Sequence, residues 1–348
     1  MKPEWKEFLL DNGAELDGDQ VTNFGNPQRE LEVATTGHVI ADQSHFGLIS
    51  ARGEDVSEFL QGQLTNDIRD VSETKAQYSA YCTPKGRMLS NFLIFKRGDT
   101  YYLSLPRNLL EATLKRLSMF ILMSKVVLED ASDSLVRMGY AGPEADKELN
   151  GVLGIAPKEP FEASQKDDLS VIRLPGTQPR LQIVGGLDAI TKLWETLNVR
   201  GTAIGEPGWA LLDILSGTPF ILPETTEAFI PQMVNLQLTN GVSFKKGCYT
   251  GQEIVARMQY LGKLKRRMYL AHVQGDIAPK PGDELFSAGS SSGQGTGKIV
   301  NASPSPEGGY QVLAVVEISS QANNKIHLGE KSGPILEFAE LPYPFQDS

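Results

Sequence analysis

At Met268 the texture of the chain changes, and that change bounds the architecture more than any other feature. From this point strand-like runs at 268–273, 298–300, 311–316 and 335–338 alternate with turns rich in Gly, Pro and Ser, and no helical period is evident. Short, evenly spaced strands of this kind read as a small all-β domain of barrel type. Residues 1–267 are mixed. Apolar residues three and four apart mark helices at 57–64, 106–120, 189–197 and 209–215, and apolar runs bounded by turns mark strands at 37–50, 78–82, 87–95, 101–105, 126–128, 135–140, 169–174 and 181–184. Residues 1–35 read as an opening helix and a polar loop. Residues 142–168, rich in Pro, Gly and charge, read as a loop or insertion that divides 1–267 into two subdomains. The fold class is therefore α+β, with 1–267 as one region and 268–348 as the barrel.

The stretch 244–267, FKKGCYTGQEIVARMQYLGKLKRR, joins the two. From Lys245 to Arg267 it carries seven basic residues and one acid, Glu253, in a chain whose net charge is −10. Thr250-Gly251-Gln252-Glu253 fits a T-x-x-E capping box, with Thr250 as N-cap, Glu253 as the third helical residue and Tyr249–Ile254 as the hydrophobic staple. Ile254, Met258 and Leu261 form one apolar stripe, and Gly262 is placed to stop the helix. Cys248 then precedes the positive end of the helix dipole, beside Lys245 and Lys246, surroundings that favour a thiolate. A free cysteine is equally a small buried apolar residue, and spacing leaves both readings open.

Length and composition exclude several classes. A chain of 348 residues has ample material for two or three domains, and 40% hydrophobic with 22% charged residues is ordinary for a globular protein. The N-terminal sequence has no apolar signal core, and no run approaches a membrane span, so the expectation is a cytoplasmic protein without membrane contact. Net negative charge argues against broad nucleic-acid binding but leaves room for one basic pocket. Two cysteines, Cys82 and Cys248, and four histidines, His38, His45, His272 and His327, show no ligand-spaced pair, and no metal is expected. The glycine-rich run 292–298 lacks the Walker spacing and has Ile299 where Ser or Thr should follow Lys298, so it reads as a hairpin.

At Lys246-Gly247-Cys248-Tyr249-Thr250-Gly251-Gln252-Glu253 the chain resembles the YgfZ family, folate-binding relatives of the glycine-cleavage T-protein. Phe229-Ile230-Pro231-Gln232, Asn235-Leu236 and Val242-Ser243-Phe244-Lys245 agree with the family's FIPQ…NL…SFK. Gln61-Gly62-Gln63-Leu64-Thr65-Asn66-Asp67 and Lys85-Gly86-Arg87 agree with two further segments. The resemblance covers about 46–267, and the C-terminal domain agrees in texture.

That resemblance implies a T-protein-like folate-binding fold with a C-terminal β-barrel, a ligand that is tetrahydrofolate or a one-carbon derivative, and a role in making or repairing iron–sulfur enzymes, one of which thiomethylates tRNA. The implied partners are folate and, transiently, those enzymes; direct tRNA contact is not implied, and a monomer is expected. Cys248 falls on the signature thiol, Trp209 on the family's folate-associated Trp, and Phe46 on an earlier Trp whose indole N–H it lacks. Lys246, Tyr249, Gln252, Glu253 and Arg257 complete the implied site, with Lys245 and Arg267 as further candidates for the anionic tail. Where T-protein relatives carry a pterin-binding Glu, this chain has Leu215, which cannot hydrogen-bond a pterin, so aminomethyl transfer is not expected. An alternative is a folate-dependent one-carbon transferase that uses Cys248, and a third reading is a docking module for a protein partner.

Overall fold

The computed structural model describes residues 1–287, 295–323 and 325–345. The chain forms two compact units: 1–60, 68–77 and 92–212 make the first, and 61–67, 78–91 and 213 onward make the second.

In the first unit a six-stranded sheet runs in the order Ala163–Lys166, Leu169–Leu174, Arg180–Gly185, Val136–Ala141, Val39–Asp42, Thr202–Ile204. Neighbours are antiparallel except the last pair, which is parallel. Strands expose alternate residues to opposite faces. One face therefore presents Ile40, Met138, Tyr140, Leu181 and Ile183 to a core that also holds Trp5, Leu9 and Trp194. The helix Pro3–Asp11 delivers Trp5, whose Nε1 donates to the buried Asp42 Oδ1 at 2.7 Å. On the other face Ala41, Gly139 and Gln182 lie in register. The Trp209 ring rests on Gly139 so closely that a Cβ there would come within 2.4 Å of it. A second set of strands, Thr100–Pro106, Phe46–Arg52 and Val127–Asp130, pairs with the C-terminal half of Met88–Arg97.

In the second unit, residues 78–82 and 88–91 flank a turn in which Gly86 N donates to Thr83 O at 2.8 Å and Gly86 adopts φ +68°. Residues 227–229 extend the pairing, since Met88 N donates to Phe229 O at 2.8 Å. The C-terminal part is an antiparallel sheet ordered His327–Leu328, Glu284–Phe286, Gly297–Pro304, Tyr310–Glu317, Arg266–Val273, Leu336–Ala339. A bridge between His327 and Ile335 ties its two edges, giving a curled half-barrel around Val273, Leu285, Val312 and Ala314.

Three segments depart from the sequence reading. Residues 12–35 form a hairpin and a helix, Pro27–Thr36, rather than a loop; Asn26 caps it by accepting from Arg29 N, and Pro27 occupies the first turn. The helix is mostly polar, so the apolar period that marks helices is weak there. Residues 142–168 hold a helix, Ala145–Leu153, that ends at Gly154 with φ +73°, and a strand, Ala163–Lys166. The β-domain includes one short helix, Ile318–Asn323. In the glycine-rich run, Ser292, Gly293 and Gln294 lie outside the described residues, and Gly297 opens a strand. Among the described residues no helix is long and apolar enough to cross a membrane.

Candidate functional site

The loop before the helix Gln252–Tyr260 alternates burial in a way that displays its cysteine. Lys246 and Tyr249 are buried, while Gly247 and Cys248 between them are exposed. Lys246 Nζ donates to the carbonyl oxygens of Gln61 at 2.7 Å, Leu64 at 2.6 Å and Asn66 at 3.0 Å. An ammonium has three donors, and here they are directed to three carbonyls of one segment. Lys246 Nζ also stands 5.0 Å from the Tyr249 ring centroid, a cation–π contact. The 61–67 segment is fixed in turn: Thr65 Oγ1 donates to Gly241 O at 2.8 Å, and Asn66 Nδ2 donates to Tyr78 O at 2.9 Å. Two amide- and lysine-rich motifs far apart in sequence thus form one backbone frame under Cys248.

The capping box is not formed. The N-cap is Gly251, at φ +86°, and no side-chain cap bond is made. A close backbone approach replaces it. Gly251 packs on the hairpin turn, where a Cβ at this position would meet Thr83 O at 2.4 Å and Gly86 Cα at 3.0 Å. Ile254 packs on Gly86 from the same helix. The predicted stripe shifts too. Val255 is the buried residue, its carbonyl accepting from Gln232 Nε2 at 2.6 Å, whereas Leu261 is 85% exposed because the helix ends at Tyr260. Gly262 closes that end, its N–H donating to Arg257 O at 2.8 Å. Gln252 opens the helix and its Nε2 donates to Gly247 O at 3.4 Å, while Glu253 and Arg257 are exposed.

Trp209 and Phe46 belong to the first unit. Trp209 is 1% exposed, resting on Gly139 with the Arg180 guanidinium 5.3 Å from its ring centroid. Phe46 is buried beside His45, and its carbonyl accepts from Arg137 at 2.7 Å. Burial, with the Arg137 charge nearby, drives the His45 imidazole down to about 3. Burial raises Asp42 as well, although Trp5 and Ser44 donate to it.

The cysteines differ in kind. Both are free. Cys82 is buried on its strand, and burial pushes its thiol up to about 12. Burial also raises the Tyr249 phenol, with Cys82 adding to the effect. Cys248 is the exposed thiol. Gln232 and Asn235, named above only as motif positions, are frame residues: Asn235, at φ +58°, donates from Nδ2 to Met268 O at 2.9 Å. The available signal was a pair of amides in an otherwise apolar run, buried at 2% and 0%.

With this geometry in view, comparison with known proteins places the chain. The GCVT N-terminal domain model matches residues 19–173. A tRNA-modifying protein YgfZ from Colwellia psychrerythraea is 36% identical over 235 residues, 68% of this chain and 72% of that protein. The YgfZ of Pectobacterium carotovorum is 30% identical over 92% of this chain and 96% of its own length. The chain belongs to the YgfZ family. The segment 246–253, on which the sequence resemblance rests, lies in the loop–helix frame described above. The crystal structure of glycine cleavage system aminomethyltransferase T from Bartonella henselae shares the fold, with TM-score 0.77 over 98% of this chain and 97% of that one at 15% identity. In this chain the helix Glu206–Leu215 ends on a half-buried Leu215, which brings no polar atom.

Proposed function

We propose that this YgfZ-family protein binds tetrahydrofolate or a one-carbon derivative and supports the assembly or repair of iron–sulfur enzymes in the cytoplasm, and through them tRNA thiomethylation, with Cys248 as the working thiol. The observation that carries the reading is the exposed Cys248 held between two buried residues, Lys246 and Tyr249, on a loop that Lys246 fastens to the 61–67 segment. A thiol presented on a fixed loop is available to a partner, whereas Cys82 is not. The relatives that this chain matches at 30–36% identity are named tRNA-modifying proteins. The residues fit a folate in one respect above all: the exposed Arg257 and Lys245 near the signature loop suit its carboxylates. Gln252 and Glu253 open the adjoining helix and supply polar groups beside the loop. Lys246 and Tyr249 hold the loop in shape. Trp209, covered by Gly139 and Arg180, and the buried Phe46 lie in the core of their own unit.

The test has two arms. Calorimetry with tetrahydrofolate should show binding to the wild-type protein, and absence of binding would remove the folate part. Deletion of the gene in its host should lower thiomethylated tRNA and iron–sulfur enzyme activity. Wild type should restore both and Cys248→Ala should not. Full restoration by a folded Cys248→Ala protein would remove the role assigned to the thiol.

A further inference from the structure

Twelve large apolar side chains are exposed among the described residues, and five of them fall within nine positions: Met119, Phe120, Leu122, Met123 and Val127. They occupy the connection from the helix Leu110–Ser118 to the strand Val127–Asp130, in the first unit. The stretch 117–124, LSMFILMS, carries no charge. Leu122 is 87% exposed and Met123 97%. Both ends of this loop are fastened. At the first end the helix runs out in tight turns, with Phe120 N donating to Leu117 O at 3.0 Å and Ile121 N to Ser118 O at 3.2 Å. At the other, Lys125 N donates to Asp55 Oδ2 at 2.7 Å and Lys125 Nζ pairs with Glu54 at 2.6 Å. Lys125 O lies against Gly53, at φ +126°, and leaves no room there for a Cβ. An uncharged apolar tip is thus displayed between two fixed ends.

At these exposures the five side chains offer on the order of 600 Å² of apolar area, the top of the range a lone chain leaves uncovered and close to the roughly 800 Å² each partner gives to a stable interface. The surroundings select the occupant. Lys115, one helical turn before Met119, and Lys125 are exposed on the rim, and so are Glu54, Glu129 and Asp130. An anionic lipid surface calls for a basic rim. An uncharged centre with both signs around it is instead complementary to its own copy across a two-fold axis. Sheet extension is not the mode of contact. Val127–Asp130 is the outer strand of its sheet, but Glu129 and Asp130 guard that edge against pairing. We infer that two copies of this chain associate through residues 119–127, with the two loops packed side by side. Methionine suits such a contact, because its flexible side chain adapts to the facing surface.

The experiment is analytical ultracentrifugation of the full chain between about 1 and about 200 µM. The expected result is a monomer–dimer equilibrium with Kd on the order of 10 µM. The dimer should hold or tighten between about 50 and about 300 mM salt, because the contact is apolar and salt screens the repulsion between two acidic chains. Leu122→Asp/Met123→Asp should remain monomeric throughout and melt like wild type, since both side chains are exposed. Ile277→Asp, at an equally exposed apolar position in the second unit, should dimerise as wild type does. Hydrogen exchange gives a reading that needs no variant: the amides of 119–124 should exchange more slowly at high protein concentration. A wild type that is monomeric at the highest concentration overturns the inference. A dimer retained by Leu122→Asp/Met123→Asp, or exchange at 119–124 that ignores concentration, overturns it as well. Flotation of the wild type, and not of that variant, with vesicles of phosphatidylcholine and phosphatidylglycerol would assign the loop to a lipid surface and overturn the dimer.

Discussion

The Lys246 ammonium lies 2.6 Å from the carbonyl oxygen of Leu64, a residue 182 positions earlier in the chain, and this contact fastens the signature loop to the 61–67 segment. Lys246→Met keeps the length of the side chain and removes every donor. The carbonyls of Gln61, Leu64 and Asn66 then lose this partner in a buried place, which should cost about 2–4 kcal/mol. Urea unfolding would register it as a lower midpoint. A midpoint within about 0.5 kcal/mol of wild type would mean that the lysine serves a ligand and not the frame.

The glycines of the signature separate into two behaviours. Gly251 combines φ +86° with a Cβ position 2.4 Å from Thr83 O, so Gly251→Ala should destabilise by about 2 kcal/mol or more and loosen the helix start. Gly247 has nothing within 4 Å of its Cβ position, and Gly247→Ala should change stability by less than about 0.5 kcal/mol. Thermal melts of the two variants give the comparison directly. Equal losses would contradict the glycine-on-glycine packing described here.

Native alkylation should label one cysteine. Cys248 is exposed, whereas Cys82 is buried with its thiol pushed up to about 12. Iodoacetamide at neutral pH should modify Cys248 alone, and Cys82 only after denaturant is added; peptide mass mapping distinguishes them. Cys82 also sets a stability trend. Its folded pKa is raised above the unfolded 9.0, so its contribution is complete below pH 9.0 and is lost as pH rises toward 12. Stability should therefore fall across that window, and less steeply in Cys82→Ala.

Much of this was legible before the structure, and what was not has a common cause. The strands at 78–82, 101–105 and 135–140 and the helix at 57–64 stand close to where apolar period and turn residues place them. The resemblance singled out 246–253, the segment whose Lys246 fastens it to 61–67. The capping box failed because T-x-x-E is a local rule, and the position of Gly251 is decided by Thr83 and Gly86, about 165 residues away in sequence. Lys246 reads as a free cation for the same reason, since the carbonyls that bind it lie 180 to 185 residues off. Long-range packing outranks local propensity wherever two backbones meet this closely.

His45 supplies an acid-side prediction. Its folded pKa is about 3, well below the unfolded 6.5, because burial and the Arg137 charge oppose protonation. A group depressed in this way contributes stability that is present above pH 6.5 and is lost as pH falls through 3. Asp42 acts in the opposite sense. Its folded pKa is raised, so its contribution is present at low pH and is lost as pH rises above its folded value. Wild-type stability should decline below pH 6.5, partly offset near the bottom of the range by Asp42. Comparing wild type with His45→Asn isolates the histidine: the variant's curve should be flatter between pH 6.5 and pH 4, measured by urea unfolding at each pH. Parallel curves would show that His45 takes up a proton in the folded chain as readily as in the unfolded one, and that the Arg137 environment does not exclude the charge.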